Sequence, residues 1–448
     1  MRIKLDSPIA SRDLARLTDG QAVPQGLCFT HICTDSRELM SGDLFFALEG
    51  KNESGELYVK TADRLGCYTV SRYSGALRIK VPDTSIALLH LAEGYLEKQS
   101  VKIRIGVTGS VGKTTVKSFL AKILQASFKV HCSKENYNNH IGLPLTLLEA
   151  PKNTEAIICE MGMNKEKEIS LLSRTLKPSI GIITKIGHSH IGNLGSREAI
   201  ARAKLEILDG MSSDGILLTP YAESTIPNIK RGRTVGLNSL GADYSLNKAD
   251  DGYYSFFKNG EEILSLKPTF SEEFLLQDLA FALAAAHSVG MKREDIMSGA
   301  SAVSEEQTRF RLYSIGERLI IDDAYNSSPE SVQAGFELLS RYKNSKKAVI
   351  LGDILELGEY SEQIHEQIGR LCAQLDAEKV IFIGDMGGAF LNGYRRKCTL
   401  LPLTADRASI CEYIKTACTD CAVIYFKASH RLGLSEIAKE ICKQGWDN

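Results

Sequence analysis

The 448-residue sequence lacks any apolar run close to the roughly 18–20 residues that a membrane-spanning helix needs. It also lacks an excess of charge, because 54 Lys and Arg residues nearly balance 55 Asp and Glu residues. The first absence excludes membrane insertion, and the second argues against a bulk nucleic-acid or membrane partner. The opening residues MRIKLDSPIASRDLARL contain no apolar signal-peptide core, so we expect a cytoplasmic protein.

Paired cysteine motifs are scarce as well. The 11 cysteines are an odd number, scattered from Cys28 to Cys442, which fits reduced thiols better than a disulfide framework. Cys418 and Cys421 form the only C-x-x-C pair. Because no second pair and no histidine lie nearby, we expect two thiols on or near a helix rather than a zinc site.

Repeats, low-complexity tracts and long linkers are also absent, so the chain is interpreted as a series of globular domains. Apolar strand patterns alternate with helical patterns from residue 103 and again from residue 318, which predicts parallel sheets with covering helices. The segment of about 215–270 is less regular and predicts hairpins. The expected α/β architecture has an N-terminal domain (1–100), a central P-loop domain (101–309) and a C-terminal Rossmann-like domain (310–448).

The clearest motif is TGSVGKTT, residues 108–115, between a strand and a helix. Gly109 and Gly112 allow backbone amides to curve around phosphate oxygens, and the helix N-terminus adds partial positive charge. Lys113 is expected to reach the β- and γ-phosphates, and a following hydroxyl to bind Mg²⁺. A glycine turn with a solvated lysine is the weaker alternative. The expected phosphate-binding residues are Gly109, Ser110, Val111, Gly112, Lys113, Thr114 and Thr115.

Polar side chains follow the next two predicted strands. Glu160 ends the run EAIICE, which is the usual place for a carboxylate that organises Mg²⁺ beside a phosphate loop. His188 and His190 follow SIGIITKI in the same way. We expect at least one of the two histidines to face the phosphates or a metal.

Lys204 lies in an unusual place on its predicted helix. It shares the apolar face formed by Ile200, Ala203 and Ile207, where a bare ammonium would lose its hydration at high cost. One interpretation is a carbamate, formed by reaction of the amine with CO₂, that binds a second Mg²⁺. An ion pair with Glu160 or a snorkelling stem is the simpler alternative from the pattern alone.

The C-terminal part carries its own strand-end motifs in IIDDAYNSSPES and ILGDILELGEYSEQIH. Their polar side chains are Asp322, Asp323, Tyr325, Asn326, Asp353, Glu356 and His365. Arg309 and Arg311 lie at the predicted domain junction. An arginine at such a junction can move onto a γ-phosphate when domains close.

The motifs of this sequence, and their order along the chain, resemble those of the Mur ligases over nearly the whole chain. The resemblance is carried by TDSRELMSGDLFFALEG (34–50), TGSVGKTT, NNHIGLPLTLL (138–148), EMGMN (160–164), SHIGNLGSREAIARAKLEI (189–207), IDDAYNSSPES and LGDILELGEYS. The most similar branch adds D-Ala-D-Ala to UDP-N-acetylmuramoyl-tripeptide. That activity makes cytoplasmic peptidoglycan precursors and so serves the cell wall, cell shape and division.

The resemblance implies a monomeric ATP-dependent ligase with Mg²⁺ that works through an acyl phosphate. The implied catalytic residues are Lys113, Glu160, His190, Lys204 and Arg311. The implied metal ligands are Thr114, Thr115, Glu160, His190 and carbamylated Lys204. Asp323, Tyr325 and Asn326 would meet the nucleotide from the C-terminal domain. Ser36, Asn138, Asn139 and Asp353 would meet the UDP-linked peptide or the dipeptide.

The sequence departs from the Mur pattern at residues 54–56, 277–281 and 427–431. A divergent Mur ligase that joins another carboxylate to another amine is therefore an alternative. A P-loop kinase or NTPase switch is a second, but it would not need the C-terminal domain. A non-catalytic binding protein is a third, and the presence of Lys113, Glu160 and Lys204 argues against it.

Overall fold

The computed structural model describes residues 1–21, 25–50, 53–134, 136–304 and 309–446. These residues form three sheets of five, nine and six strands that follow one another along the chain. Helices pack against all three sheets, which confirms the predicted α/β class. Within the described ranges, no helix combines the length and the apolar character that crossing a bilayer requires.

The first sheet has its strands in sequence order. They are β1 (Arg2–Ala10), β2 (Cys28–Cys33), β3 (Leu44–Phe46), β4 (Tyr68–Ser71) and β5 (Arg78–Lys80). The pair β1–β2 is antiparallel, and the remaining pairs are parallel. The helices of this part are α1 (Ser11–Thr18), α2 (Val59–Arg64) and α3 (Thr84–Gln99). Asp83 begins α3, because its carboxylate accepts the otherwise unpaired N–H groups of Ser85 and Ile86.

The second sheet is the largest and has the order β14-β13-β12-β11-β10-β9-β6-β8-β7. Its strands are β6 (Ile103–Thr108), β7 (Val130–Cys132), β8 (Ala156–Glu160), β9 (Ile180–Ile183), β10 (Ile216–Pro220), β11 (Gly232–Leu237), β12 (Tyr244–Lys248), β13 (Tyr254–Lys258) and β14 (Glu261–Leu266). The expectation of hairpins over 215–270 is only partly right. Strands β10, β11 and β12 extend the parallel sheet, and antiparallel pairing is confined to the pairs β12–β13 and β13–β14.

Seven helices accompany the second sheet in the described residues. They are α4 (Lys113–Leu124), α5 (Gly142–Glu149), α6 (Glu168–Leu176), α7 (Ile191–Leu194), α8 (Arg197–Leu205), α9 (Glu273–Ser288) and α10 (Arg293–Ser301). Strand β6 lies between β8 and β9 and runs parallel to both. The loops that follow Thr108, Glu160 and Ile183 therefore open at one edge of the sheet, where ligands bind in folds of this kind.

The third sheet has the order β15-β16-β20-β17-β18-β19, with only β15 antiparallel. Its strands are β15 (Arg311–Ile315), β16 (Arg318–Asp322), β17 (Lys347–Gly352), β18 (Lys379–Ile383), β19 (Thr399–Leu401) and β20 (Val423–Lys427). The helices are α11 (Pro329–Leu339), α12 (Ser361–Cys372), α13 (Gly387–Tyr394), α14 (Arg407–Ala417) and α15 (Leu434–Gln444). The predicted strand-end motifs follow β16 and β17.

Candidate active site

The loop between β6 and α4 can be built only with glycine at two positions. Gly109 has φ 148° and Gly112 has φ 88°, backbone conformations that side chains disfavour. A Cβ on Gly109 would lie 1.9 Å from Oγ1 of Thr184, and one on Gly112 would lie 2.4 Å from Oδ1 of Asp278. The loop is therefore a narrow backbone cradle of the kind that surrounds phosphate oxygens.

The two residues between these glycines are fixed by the strand-end loop after β9. The N–H of Ser110 donates to the carbonyl of Lys185 at 2.8 Å. The hydroxyl of Thr184 donates to the carbonyl of Val111 at 2.5 Å. The cradle is thus tied to the neighbouring strand on one side and to α4 on the other.

Lys113, the first residue of α4, lies back over the cradle. Its Nζ donates to the carbonyl of Gly109 at 2.8 Å. Burial lowers the pKa of its ammonium, the opposite charge of Glu160 offsets part of that effect, and the positive charge of Arg309 adds to it. An anion bound in the cradle would therefore meet a poorly hydrated lysine and gain strongly from the contact.

Glu160 lies at the end of β8 with only 1% of its surface exposed. Its Oε2 accepts from the hydroxyl of Thr114 at 2.7 Å, and its Oε1 accepts from Nδ2 of Asn138 at 3.0 Å. Burial alone would raise the pKa of Glu160, but the charges of Lys113 and Lys117 and the two hydrogen bonds outweigh it and lower the pKa. The carboxylate therefore stays ionised beside the cradle.

Lys117 also belongs to this cluster, although it is not among the residues expected from the sequence. It lies one turn after Lys113 on α4, 3% exposed, with Nζ 3.9 Å from Oε2 of Glu160. The same Nζ donates to the carbonyl of Ser133 at 2.6 Å, and the hydroxyl of Ser133 accepts the N–H of Glu160 at 3.1 Å. The four-residue spacing of the two lysines is the signal that could have identified it.

The two asparagines of the NNHIG motif have different positions. Asn138 joins the site through Glu160, and its carbonyl accepts the N–H of Gly162 at 2.7 Å. Asn139 instead accepts the N–H groups of Ile141 and Gly142 at the start of α5. Ser36 lies in the first-sheet part, at the start of a short 3₁₀ turn.

Both histidines after β9 meet carboxylates of the C-terminal part. Oε1 of Glu330 accepts the backbone N–H of His188 at 2.9 Å and lies 2.5 Å from its Nδ1. Nδ1 of His190 lies 2.7 Å from Oε2 of Glu356. These pairs hold the strand-end loop of the central sheet against the start of α11 and the loop after β17.

Beside these histidine–carboxylate pairs, the backbone of α7 contacts the backbone of the loop after β17. The N–H of Gly192 donates to the carbonyl of Glu356 at 3.2 Å. A Cβ on Gly192 would lie 2.4 Å from the backbone nitrogen of Gly358. A few residues on, the hydroxyl of Tyr360 donates to the carbonyl of Gly195 at 2.9 Å.

Lys204 is buried on α8, as its sequence pattern predicts, with 2% of its surface exposed. Its pKa is lowered well below the ordinary lysine value, first by burial and then by the charge of Lys113. In the part of the chain that the structure describes, no carboxylate pairs with its Nζ, and Glu160 is bound to other partners. The ion pair considered above is not formed, and burial favours the neutral amine over the ammonium.

The C-terminal motifs provide a mixed set of groups. Oδ2 of Asp323 accepts from Nζ of Lys427 at 2.8 Å and from the hydroxyl of Tyr425 at 2.9 Å. Burial raises the pKa of Asp323, and the charge of Lys427 opposes that rise. Asn326 is exposed, and Arg311 lies on β15 directly opposite Asp322.

Both carboxylate oxygens of Asp353 accept hydrogen bonds from backbone N–H groups. Its Oδ2 and Oδ1 accept the N–H groups of Asp385 and Met386, each at 3.0 Å, just before α13. Gly384, with φ 148°, gives it room, since a Cβ there would lie 2.3 Å from Oδ1. His365 is similarly occupied, because its Nε2 accepts the N–H of Ile354 at 3.0 Å.

Among the described residues, no group of three or more His, Cys, Asp and Glu side chains converges as a metal cage would require. Thr114 and Glu160 nevertheless place two oxygen ligands beside the phosphate cradle. Mg²⁺ commonly binds through one or two protein oxygens together with substrate phosphates. The donor set therefore fits Mg²⁺ held jointly with a nucleotide.

Two segments of the chain match known domain families. Residues 107–286 match the Mur ligase middle domain, and residues 308–430 match the Mur ligase glutamate ligase domain. The UDP-N-acetylmuramoyl-tripeptide–D-alanyl-D-alanine ligase of Bacillus subtilis (strain 168) is 35% identical over 92% of this chain and 92% of its own. The ligase of the same name from Synechocystis sp. is 32% identical over 92% and 91%.

Solved structures of Mur ligases are also similar to this chain. A crystal structure of MurF from Acinetobacter baumannii superposes with a TM-score of 0.88, at 27% identity over 98% of this chain and 100% of that one. The MurF ligase from Thermotoga maritima, crystallised with ADP, gives a TM-score of 0.81 at 25% identity over 93% and 97%.

Proposed function

Because this chain belongs to the Mur ligase family, we propose that it joins D-Ala-D-Ala to UDP-N-acetylmuramoyl-tripeptide in a reaction driven by ATP. It is an acid–amino-acid ligase of peptidoglycan precursor synthesis that forms ADP and phosphate. One observation carries this conclusion. Thr114 and Asn138 converge on the buried, ionised Glu160 directly beside a phosphate cradle closed by Lys113.

The nucleotide phosphates are assigned to residues 109–115. The glycine cradle supports this assignment, because Gly109 and Gly112 adopt positive φ values that let backbone amides curve around phosphate, and a Cβ at either position would collide with Thr184 or Asp278. Lys113 would exchange its contact with the Gly109 carbonyl for the β- and γ-phosphates. Its low hydration makes that exchange favourable.

Mg²⁺ is assigned to Thr114 or Thr115 together with Glu160, because the Thr114 hydroxyl and the Glu160 carboxylate meet beside the cradle at 2.7 Å. A bound Mg²⁺ would neutralise phosphate charge during transfer. Lys117 and Asn138 would hold the Glu160 carboxylate in place. A second Mg²⁺ is assigned to His190 and to Lys204 in its carbamate form.

The carbamate is supported by the state of Lys204. A neutral amine is the form that attacks CO₂, and burial, which lowers the pKa of Lys204, favours that form. The new N–C bond gives a carbamic acid, which loses a proton to become an anion. That product replaces a buried cation with an anion that a metal neutralises.

The reaction follows in two steps. First, the terminal carboxylate of the tripeptide attacks the γ-phosphorus of ATP, which releases ADP and leaves an acyl phosphate. Second, the amine of D-Ala-D-Ala attacks the acyl carbon, and the tetrahedral intermediate expels phosphate as the amide forms and the amine loses a proton. Lys113 stabilises the charge that develops on the transferred phosphoryl group.

The outer parts of the site include residues of the first and third sheets. Arg311, Asp323, Tyr325 and Asn326 would meet the nucleotide from the C-terminal domain. Ser36 would meet the peptide substrates directly. Asn138, Asn139 and Asp353, which were expected to do the same, would instead position the loops around the substrates, because Asn138 binds Glu160, Asn139 accepts N–H groups at the start of α5, and Asp353 accepts two backbone N–H groups. We place the domain boundaries near residues 100 and 310, in line with the extents of the three sheets, and propose a cytoplasmic monomer.

A substrate panel tests the proposed function. Purified protein is given ATP, Mg²⁺ and UDP-N-acetylmuramoyl-peptides with different third residues, each against single amino acids and dipeptides. Phosphate release and product mass are measured together. Phosphate release that needs both the tripeptide and D-Ala-D-Ala supports the proposal. Good coupling of a single amino acid, with none of D-Ala-D-Ala, would instead indicate a divergent Mur ligase.

A further inference from the structure

Cys418 and Cys421 enclose the turn between α14 and β20. Cys418 directly follows α14, and its backbone N–H donates to the carbonyl of Ile414 at 3.0 Å. The N–H of Cys421 donates to the carbonyl of Cys418 at 2.9 Å and so closes a four-residue turn. The end Cα atoms of such a turn lie within about 7 Å of each other. Disulfides join Cα atoms that are roughly 4.4–6.8 Å apart, so the backbone already holds the two cysteines near that spacing.

The two thiols also point toward each other. The thiol of Cys418 donates a hydrogen bond to the sulfur of Cys421. Both side chains are buried, with 0% and 1% of their surface exposed. Because a disulfide requires sulfurs that face each other rather than diverge, this pair could be joined without rebuilding the turn.

The outside of the turn is held by two basic side chains. Nη2 of Arg318 donates to the carbonyl of Thr419 at 2.7 Å, and Nζ of Lys346 lies 3.0 Å from Oδ2 of Asp420. Both turn residues are exposed, and an exposed ion pair contributes little stability. The turn can therefore open locally while the sheet stays folded, which gives a small molecule access to the buried sulfurs.

The hydrogen bond between the thiols gives them different reactivity. It raises the pKa of its donor, Cys418, and burial adds to that rise. The same hydrogen bond lowers the pKa of Cys421, although burial and the charge of Asp420 oppose the effect. The thiolate is the nucleophile in thiol–disulfide exchange, so Cys421 is the thiol that attacks first.

We propose that Cys418 and Cys421 form a redox site, which a low-molecular-weight disulfide converts from two thiols to an intramolecular disulfide. The thiolate of Cys421 attacks one sulfur of the small disulfide, whose S–S bond breaks, and one small thiolate leaves with the electron pair. Cys418 then loses its proton and attacks Sγ of Cys421, which releases the second small thiolate. The protein gives up two electrons and two protons, and the small disulfide takes them up as two thiols. No residue assigned to the ligase reaction takes part.

Oxidised glutathione is the probe, applied to the folded full-length protein, and each cysteine is followed by thiol alkylation and peptide mass spectrometry. Cys418 and Cys421 lie on one tryptic peptide, residues 416–427, which contains no other cysteine. This peptide should lose two hydrogens and resist alkylation until a reductant is added. The exposed Cys28 should form a mixed disulfide, which shows that the oxidant works. Cys159, fully buried on β8, should stay a thiol, which shows that the protein has not unfolded.

Single variants separate the roles of the two thiols. Cys418→Ser should accumulate a glutathione mixed disulfide at Cys421, because no second thiol is present to displace the glutathione. Cys421→Ser should form its mixed disulfide at Cys418 at least about tenfold more slowly. Since the two side chains are almost equally buried, this ratio reports the thiolate content of each cysteine rather than its accessibility.

Cys411→Ser is the matched control. Cys411 is also buried on α14, but its thiol donates to the carbonyl of Ile437 and not to another cysteine. Its variant should form the disulfide between Cys418 and Cys421 at the wild-type rate. Loss of that disulfide in the control would show that oxidation depends on general packing of α14, against the proposal.

The remaining outcomes are equally decisive. Wild-type protein in which Cys28 is modified while Cys418 and Cys421 remain thiols would overturn the redox site. Two separate mixed disulfides on the peptide, or a disulfide from either cysteine to a third one, would overturn it as well. Equal rates in the two single variants would overturn the role of Cys421 as the attacking thiol. None of these measurements uses ATP or a peptide substrate, so they stand or fall separately from the proposed ligase activity.

Discussion

Nδ1 of His188 lies 2.5 Å from Oε1 of Glu330, although 142 residues separate them in the sequence. The same oxygen accepts the backbone N–H of His188 at 2.9 Å. This carboxylate joins the loop after β9 to the first turn of α11. The contact therefore couples the position of the C-terminal part to the loop that braces the phosphate cradle.

Glu330→Gln should lower the free energy of unfolding by about 1–3 kcal/mol at pH 7, because it removes a charged acceptor shared by two donors. Burial alone would raise the pKa of Glu330, but its hydrogen bonds with His188 outweigh burial and lower it. Its stabilising effect is thus complete above the ordinary glutamate pKa of about 4.3 and is lost as pH falls through the lowered value. Urea unfolding of both proteins at several pH values measures this. A difference that grows toward acid pH would contradict the assignment.

Lys113→Ala should reduce turnover by about 100- to 1,000-fold while the protein stays folded, because the lost charge acts on the transferred phosphoryl group. Lys122→Ala, on the same helix but half-exposed, should remain close to wild type. Phosphate release and thermal melting are measured for both variants. If Lys113→Ala turned over at nearly the wild-type rate, the assignment of Lys113 to the nucleotide phosphates would be wrong.

Gly112→Ala should abolish nucleotide binding and destabilise the fold. The alanine backbone would have to adopt φ 88°, which side chains disfavour, and its Cβ would lie 2.4 Å from Oδ1 of Asp278. Gly388→Ala is the control, because Gly388 lies within helix α13 and a Cβ there meets nothing within 4 Å. That variant should be stabilised by about 0.5–1 kcal/mol. Calorimetric titration with ADP and thermal melting test both. Full ADP affinity in Gly112→Ala would show that the cradle is not the phosphate site.

Lys204→Ala should fold but lose nearly all activity, and a short carboxylate at high concentration should restore part of it. The reason is that the vacated space would accept an anion where the carbamate belongs. Carbon-13 NMR of the protein under ¹³CO₂ gives a readout independent of turnover. A carbamate carbon signal is expected in wild type and absent in Lys204→Ala. Its absence from wild type at saturating ¹³CO₂ would decide against the carbamate.

Sequence motifs and helical periodicity predicted the positions of the residues that a single strand, turn or helix places. Gly109, Gly112 and Lys113 lie in a strand–turn–helix that a short segment specifies by itself. Glu160 was predictable because parallel strands end at a shared edge. Lys204 was predictably buried because helical periodicity places it on the apolar face.

Contacts between distant segments were not predictable from the same patterns. Lys117 donates to the carbonyl of Ser133 as well as lying near Glu160, and a backbone oxygen leaves no mark in the sequence. No local pattern indicates that His188 meets Glu330. Residues 215–270 were expected to form hairpins, yet β10 to β12 continue the parallel sheet, because short loops there make parallel crossovers without a helix between the strands.

The contact of Gly192 with Gly358 has a mechanical consequence. A side chain at an interface can rotate aside when two bodies approach, but a peptide backbone cannot. With no side chain on either residue, the approach of the central and C-terminal parts is limited by rigid main chain at this point. Any larger residue at position 192 would therefore act as a wedge that keeps the central and C-terminal parts apart.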